Sequence, residues 1–200
     1  WLALGALSLF ESQRLRFVTR LVFPASAAVS AALALVALHA WGSAVHTLVL
    51  PLGLPELPFH VRLDALSALF LLILALGSAG ISVYAGGYFR DEAPGKLRLI
   101  GLQYHLFLAS MALVLLADDA YMFMVAWESM ALASYFLVTT EHRQAAIRRA
   151  GFIYILIAHV GALAILLCFG GLQGGTGFDS YRFDVLRKAE LTPLWAGVAF

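Results

Sequence analysis

The stretch Asp118–His142, DDAYMFMVAWESMALASYFLVTTEH, decides the fold class, and one residue within it stands apart. From Ala120 to Thr140 every position except Glu128 is apolar or weakly polar. A run of about 20 such residues predicts a membrane-spanning helix, because each helical residue rises about 1.5 Å. A carboxylate near the middle of that helix costs about 2.5–3.5 kcal/mol to insert, so it requires protein, water or a proton beside it.

Helical spacing places two tyrosines on the same face as this glutamate. Tyr121, Glu128 and Tyr135 are separated by seven residues each, and Ala131 lies beside them. They form a stripe that can hold water and hydrogen bonds, and we predict that it is functional, with the two tyrosines as lining residues. The alternative is a neutral glutamate that is satisfied by a neighbouring helix and has no further role.

The composition extends the membrane assignment to the whole chain. Of its 200 residues, 62% are hydrophobic and 12% are charged, whereas soluble domains carry about 25% charged residues. The mean hydropathy is +0.88. A single cysteine, Cys168, makes no disulfide, zinc site or iron–sulfur cluster. Because the chain opens on Trp1 and stops at Phe200 inside an apolar run, we expect it to be a piece of a longer protein.

Apolar runs and turn residues predict an all-α polytopic membrane domain over residues 1–200, with six or seven transmembrane helices. Three prolines and alternating apolar residues predict a short extracytoplasmic hairpin over 46–62. The stretch 179–190 predicts an amphipathic helix at the membrane interface. Asp64 and Asp119 suit the N-caps of the third and fifth helices. We predict helices at about 1–10, 21–41, 65–88, 99–117, 120–140, 150–169 and, incomplete, 194–200.

Two turn signals set the remaining helix boundaries. Pro94–Gly95 predicts the centre of a polar turn between the third and fourth helices. The run GGLQGGTG, residues 170–177, follows the sixth apolar run. No strand precedes it, so it predicts a helix stop and a flexible turn rather than a phosphate-binding loop.

The distribution of Lys and Arg predicts the orientation in the membrane. Nine lie in the loops after the first, third and fifth helices, and four lie on the opposite side. The excess places the first set in the cytoplasm and the hairpin outside. The nine are Arg14, Arg16, Arg20, Arg90, Lys96, Arg98, Arg143, Arg148 and Arg149; the four are Arg62, Arg182, Arg187 and Lys188.

Two histidines lie in apolar helices near the depth of the glutamate. Glu128 on the fifth helix and His159 on the sixth both lie roughly 13–15 Å deep by the helical rise, and sequential helices are usually neighbours. His105 on the fourth helix is shallower and nearer the cytoplasm. A carboxylate and imidazoles at stepped depths suit a proton relay. For each histidine the alternative is a neutral imidazole bonded to a helix backbone or a hydroxyl.

Other chemistries have less support from the residues. His105 and His159 on separate helices could ligate a haem, but that arrangement leaves Glu128 unexplained. No nucleophile, base and acid share one predicted face, so no hydrolase is indicated.

The run MFMVAWESMALASYFLV, with its W-E-S-M core, resembles the fifth helix of the antiporter-like membrane subunits. These subunits occur in respiratory complex I, in multisubunit cation/proton antiporters and in group 4 hydrogenases. RLDALSALF after the hairpin and GFIYILIAHVGALAIL in the sixth helix extend the resemblance, which points to the hydrogenase-4 and formate hydrogenlyase type. It implies a longer bundle of about fourteen helices built as two inverted repeats.

The resemblance also implies roles for particular residues. Glu128 matches the family's essential glutamate, whose lysine partner on a seventh helix would lie beyond Phe200. Some relatives carry an Arg and an Asp on the sixth helix, where this sequence has His159 and Ala162. The implied function is a proton-translocating subunit of a membrane oxidoreductase complex, with no cofactor or redox active site in this chain.

The implied location is the bacterial inner membrane. The expected partners are other membrane subunits, a peripheral electron-transfer arm and the lipid bilayer, with no nucleic acid. Two alternatives stay open: a structural scaffold subunit with a static Glu128, and a subunit of a multisubunit sodium/proton antiporter.

Overall fold

The structure is a computed structural model that describes residues 1–10, 16–174, 181–193 and 196–197. Within these ranges the chain forms long helices and one two-stranded antiparallel sheet. The helices are α1 (Leu2–Ser8), α2 (Phe23–Ala40, preceded by a π-helical turn at Val18–Val22), α3 (Ala65–Tyr88), α4 (Pro94–Leu116), α5 (Ala120–Val138, followed by a 3-10 turn at Thr139–Glu141), α6 (Ala145–Gly174) and α7 (Phe183–Leu186); the strands are β1 (His46–Leu54) and β2 (Leu57–Leu63).

Among the described residues, five helical segments are long and apolar enough to cross a membrane, which agrees with the predicted all-α polytopic membrane fold. They are Val18–Ala40, Ala65–Tyr88, Pro94–Leu116, Ala120–Glu141 and Ala145–Gly174. The first predicted helix, at about 1–10, is present as α1. The seventh, at 194–200, falls mostly outside the described residues.

The helices α2 and α3 pack closely through small polar residues. The Oγ of Ser78 donates to the Oγ of Ser30 at 2.9 Å, and the Oγ of Ser82 donates to the Oγ of Ser26 at 3.1 Å. The Ser82 hydroxyl also lies 2.9 Å from the phenol oxygen of Tyr104 on α4. Hydroxyls of this kind hold helices together where no water is present to satisfy them.

Two helix boundaries differ from their predicted positions. Pro94 does not centre a turn but opens α4, because proline suits the first turn of a helix, where its missing N–H is not needed. α6 starts five residues before the predicted 150 and continues to Gly174. Gly171 and Gln173 are buried there, so packing outweighs the entropic cost of glycine in a helix.

The described residues do not form the amphipathic helix that was predicted over 179–190. Residues 179–180 lie outside the described residues, and the described part holds one extended residue and the single turn α7. Arg182 forms an isolated antiparallel bridge with Asp119, which draws this segment into strand-like geometry. Phe183 stacks on Phe169 with ring centroids 5.7 Å apart, and Leu186 is buried. The apolar side therefore packs against protein rather than lying along the membrane interface.

Charged side chains collect at the two ends of the bundle. At one end Arg16 pairs with Asp91 at 3.4 Å, and Lys96 bonds both Glu92, at 2.8 Å, and Glu141. The lysine holds the pKa of the Glu92 carboxyl below its ordinary value. The hairpin lies at the other end, where β2 bridges to Ala117 just after α4.

Candidate functional site

The start of α5 positions the candidate site. Asp119 caps the helix, as predicted: its Oδ1 accepts a hydrogen bond from the backbone N–H of Met122 at 2.6 Å. An aspartate is favoured there because its carboxylate satisfies an N–H that has no partner within the helix. From this cap the helix continues without a break to Val138, and Glu128 lies about 13.5 Å along its axis.

The structure brings Glu128 and His159 together. The Oε2 of Glu128 lies 3.5 Å from the Nε2 of His159, so α5 and α6 present these two ionisable groups to each other in the middle of their apolar spans. The other ring nitrogen, Nδ1, lies 2.8 Å from the backbone oxygen of Ile155. That bond orients the imidazole with Nε2 toward the carboxylate.

The hydrogen-bond pattern fixes which nitrogen of the His159 ring faces the Glu128 carboxylate. When Nδ1 donates its hydrogen to the Ile155 oxygen, a neutral ring presents only a lone pair at Nε2. A proton carried by either group would let the two form a hydrogen bond with each other. The geometry thus places one proton-accepting nitrogen opposite one carboxylate.

The predicted tyrosine stripe coincides with the contact between α5 and α6. Tyr135 faces Gly151 of α6, where a Cβ would lie 3.3 Å from the tyrosine Cε2. At the other end Tyr121 packs on Phe59 of the hairpin, with ring centroids 5.6 Å apart. Tyr121 also lines a cavity of about 330 Å³ together with Phe169 of α6. Both tyrosines thus lie along the same helix contact as Glu128.

His105 lies in a different part of the bundle. Its side chain is fully buried, its Nδ1 lies 2.7 Å from the backbone oxygen of Gly101, and its Nε2 has no partner among the described residues. The centroid of its ring lies 6.2 Å from that of Phe23 on α2, and a Cβ at Gly5 of α1 would lie 3.2 Å from the His105 Cβ. These contacts of His105 are with α1 and α2, so its predicted place in the relay stays a prediction.

The same contacts bear on the haem alternative. His159 faces Glu128 on α5, whereas His105 faces α1 and α2. The two imidazoles are built into different helix contacts, and each binds a carbonyl of its own helix through Nδ1. This geometry gives no support to shared ligation of one iron.

Sequence reasoning missed a polar cluster at the hairpin end of α5. His60 of β2 contacts the Asp119 carboxylate twice, through its backbone N–H at 2.7 Å and its Nδ1 at 3.1 Å. Arg62 pairs with Asp64 at 3.2 Å and lies 4.0 Å from Asp118. Fifty-nine residues separate His60 from Asp119, so no local pattern reveals their contact.

The helices and the polar groups within them define a multi-pass membrane protein, and comparisons with known proteins specify its class. A family described as "NADH:quinone oxidoreductase/Mrp antiporter, TM" matches residues 117–199, which include Glu128 and His159. Residues 117–199 therefore belong to the membrane-spanning family that NADH:quinone oxidoreductases and Mrp antiporters share.

Individual relatives agree with this assignment. Hydrogenase-4 component B of Escherichia coli is 34% identical over 140 residues, covering 70% of this chain and 20% of the relative. NADH-quinone oxidoreductase subunit L of Mycobacterium tuberculosis is 36% identical over 89 residues, covering 44% of this chain and 14% of the relative. The chain thus spans a fifth or less of the length of these two relatives.

A solved structure has the same fold. The archaeal respiratory membrane complex described as the membrane-bound sulfane sulfur reductase contains a chain that aligns with a TM-score of 0.73 at 18% identity. The alignment covers 99% of this chain and 41% of the other. At that identity the likeness concerns the arrangement of the helices.

Proposed function

We propose that the chain is part of a proton-translocating membrane subunit of a respiratory-type oxidoreductase complex. The observation that supports it most is the Glu128–His159 pair, 3.5 Å apart in the middle of two apolar spans. Ionisable groups at such depth are costly and mark ion pathways. The hydrogenase-4 and subunit L relatives favour a complex in which electron transfer occurs elsewhere and drives proton movement through this subunit.

In the proposed cycle Glu128 and His159 exchange one proton as the surrounding charge changes. An approaching cation favours the ionised carboxylate, and its departure favours the protonated one. By the resemblance, the cation is a lysine on a seventh helix beyond Phe200. His159 accepts the proton at Nε2, while its Nδ1 keeps its bond to Ile155.

Access for water at the predicted cytoplasmic end supports the proposal. A cleft of about 810 Å³ opens between the start of α4 and the end of α5. Tyr135 lines it, as do Gln103 and the linked pair Lys96 and Glu141. Tyr135 also belongs to the stripe that carries Glu128, so the cleft opens at the predicted cytoplasmic end of that stripe.

A sodium/proton antiporter subunit is the second candidate, because the matching family description includes the Mrp antiporter. The two functions differ in the ion that drives or accompanies proton movement. Removing sodium from both sides of sealed vesicles would stop proton movement in an antiporter and leave it unchanged in a proton-translocating oxidoreductase. The partners we propose are other membrane subunits and a peripheral electron-transfer arm.

Substitution of His159 tests its share in the pathway. His159→Phe should slow proton translocation and shift its pH dependence, because the ring loses the nitrogen that faces Glu128. His159→Gln is the matched control: its amide can still face the carboxylate but cannot accept a proton at neutral pH. Proton uptake should be measured across a pH series in vesicles containing the complete complex. An unchanged rate and pH profile in His159→Phe would leave the imidazole with a packing role only.

Cysteine labelling tests the proposed orientation in the inner membrane. We expect a cysteine in the hairpin to react with an impermeant thiol reagent on intact cells, and Arg143→Cys to react only after permeabilisation. Leu52 is a suitable hairpin site because it is 60% exposed. Gly53 is unsuitable: its φ of +105° favours glycine, and a Cβ there would overlap the Leu57 carbonyl oxygen.

The native Cys168 is first replaced by alanine in both labelling variants. Labelling of Arg143→Cys on intact cells, with Leu52→Cys protected, would reverse the proposed orientation.

A further inference from the structure

One carboxylate joins the hairpin to the helix that carries Glu128. The Asp119 side chain is 4% exposed and makes three polar contacts. Its Oδ1 accepts from the backbone N–H of Met122 at 2.6 Å, within α5. Its Oδ2 accepts from the backbone N–H of His60 at 2.7 Å and contacts the His60 Nδ1 at 3.1 Å. Asp119 thus caps the helix with one oxygen and binds the hairpin with the other.

Backbone bonds reinforce the connection on both sides of the carboxylate. The N–H of Asp118 donates to the carbonyl oxygen of His60 at 2.9 Å. The N–H of Ala120 donates to the oxygen of Tyr181 at 2.9 Å, and the N–H of Phe183 donates to the oxygen of Asp118 at 3.0 Å. The first residues of α5 are therefore held between the hairpin and the segment that precedes α7.

The charged groups around this contact come from each of the packed elements. Arg62 on β2 lies 4.0 Å from Asp118 and 3.2 Å from Asp64, which caps α3. Burial raises the pKa of the Asp118 carboxyl, and the nearby Arg62 acts in the opposite direction. On the remaining side Arg182 pairs with Asp184 at 3.1 Å. The His60–Asp119 contact lies among these groups.

We propose that Asp119 and His60 are positioning residues for Glu128, which they act on by fixing the start of α5. A helix transmits a shift or rotation at its first turn along its length, and Glu128 lies about 13.5 Å further on. For Glu128 to lie 3.5 Å from His159, α5 must keep its position along its axis and its rotation about that axis relative to α6. This inference rests on the proposed role of Glu128 in proton transfer.

The chemistry of the contact singles out one substitution. Asp119→Asn preserves the helix cap, because an amide oxygen accepts from the Met122 N–H as well as a carboxylate does. The amide NH₂ must then face the His60 backbone N–H, and two donors cannot bond. Asp119→Asn therefore breaks the contact with the hairpin and leaves the helix cap in place.

A matched control exists at the neighbouring helix. Asp64 caps α3 through its Oδ1, which accepts from the Ser67 N–H at 2.9 Å, and this bond holds the pKa of the Asp64 carboxyl below its ordinary value. Asp64→Asn makes the same chemical change at a cap whose other oxygen faces the Arg62 side chain rather than a hairpin backbone N–H. On the histidine side, His60→Ala removes the ring, whereas His60→Asn retains an N–H donor near the Nδ1 position.

The experiment measures protons taken up per turnover, over a pH series, by the complete complex in sealed vesicles, together with the amount of complex assembled. In Asp119→Asn we expect a fall in this ratio of about threefold or more at normal assembly, within the range by which contacts along a coupled network change function. The pH profile should also move. His60→Ala should act in the same direction, His60→Asn should recover most of the ratio, and Asp64→Asn should match wild type.

Two results would overturn the inference. A wild-type proton ratio and pH profile in Asp119→Asn would show that the His60–Asp119 contact does not fix the position of Glu128. An equal loss in Asp64→Asn, or a loss that follows assembly alone, would show a general effect on folding. Glu128→Gln in the same assay keeps the two proposals distinct. A wild-type proton ratio in Glu128→Gln contradicts the proposed function itself. A lower ratio in Glu128→Gln together with a wild-type ratio in Asp119→Asn contradicts only the positioning role.

Discussion

Glu128→Gln should eliminate coupled proton uptake while the complex assembles normally. The amide has nearly the same shape as the carboxyl and can still contact the His159 Nε2, which lies 3.5 Å from Glu128 Oε2 in the native chain. It cannot take or release a proton at physiological pH. Moving one charge across the membrane against 100 mV costs about 2.3 kcal/mol, so a missing relay step becomes visible as lost coupling at a steady driving force.

Two further substitutions distinguish this prediction from a scaffold role. Glu128→Asp should retain part of the activity, because the carboxylate survives but stands one methylene further from His159. Glu56→Gln makes the same chemical change at the exposed tip of the hairpin and should have no effect. If Glu128 has only a static role, Glu128→Gln should be tolerated and any loss should follow the amount of complex assembled.

Gly151→Ala should have the second large effect, on stability rather than on proton chemistry. Gly151 is buried in α6 where it crosses the end of α5, and a Cβ there would overlap the Cγ2 of Thr139. Tyr135 Cε2 lies 3.3 Å from the same position, so neither neighbour leaves room. Overpacking of this kind costs about 1–3 kcal/mol. We expect a lower melting temperature for the purified complex.

Two variants isolate the steric cause. Gly161→Ala lies on the same helix, but nothing comes within 4 Å of its Cβ. It should be neutral or stabilising, because alanine is favoured over glycine in a helix by about 0.8–1.0 kcal/mol. Thr139→Ser removes the obstructing methyl group and keeps the hydroxyl bond to the Tyr135 oxygen, so it should rescue Gly151→Ala. Equal melting temperatures for Gly151→Ala and Gly161→Ala would contradict the close approach.

The sequence predicts most of the membrane fold because local signals mark its helix ends. Asp64 and Asp119 each cap the helix that they were expected to cap, and three prolines separate α2 from α3. Local sequence signals predicted the wrong structure where tertiary contacts override them. The segment after residue 181 pairs with Asp119 instead of forming a long amphipathic helix, since backbone groups near a buried carboxylate must find partners.

The sequence predicted how deep the candidate site residues lie in the membrane, but not which neighbouring helix each of them faces. Counting residues along the helices placed Glu128 and His159 at one level, and the structure brings them within 3.5 Å. The same counting does not give the helix face that His105 presents, and that residue packs against Phe23 and Gly5 instead. Which face of a nearly uniform apolar helix meets which neighbour depends on packing, and a weak hydrophobic pattern does not encode it.

The most direct test of the central claim is the number of protons that Glu128→Gln takes up per turnover. This number is measured in sealed vesicles at matched amounts of assembled complex. The proposed relay predicts that this ratio falls toward zero while the complex remains assembled. A wild-type ratio in a normally assembled Glu128→Gln complex would contradict the relay and leave Glu128 as a structural residue.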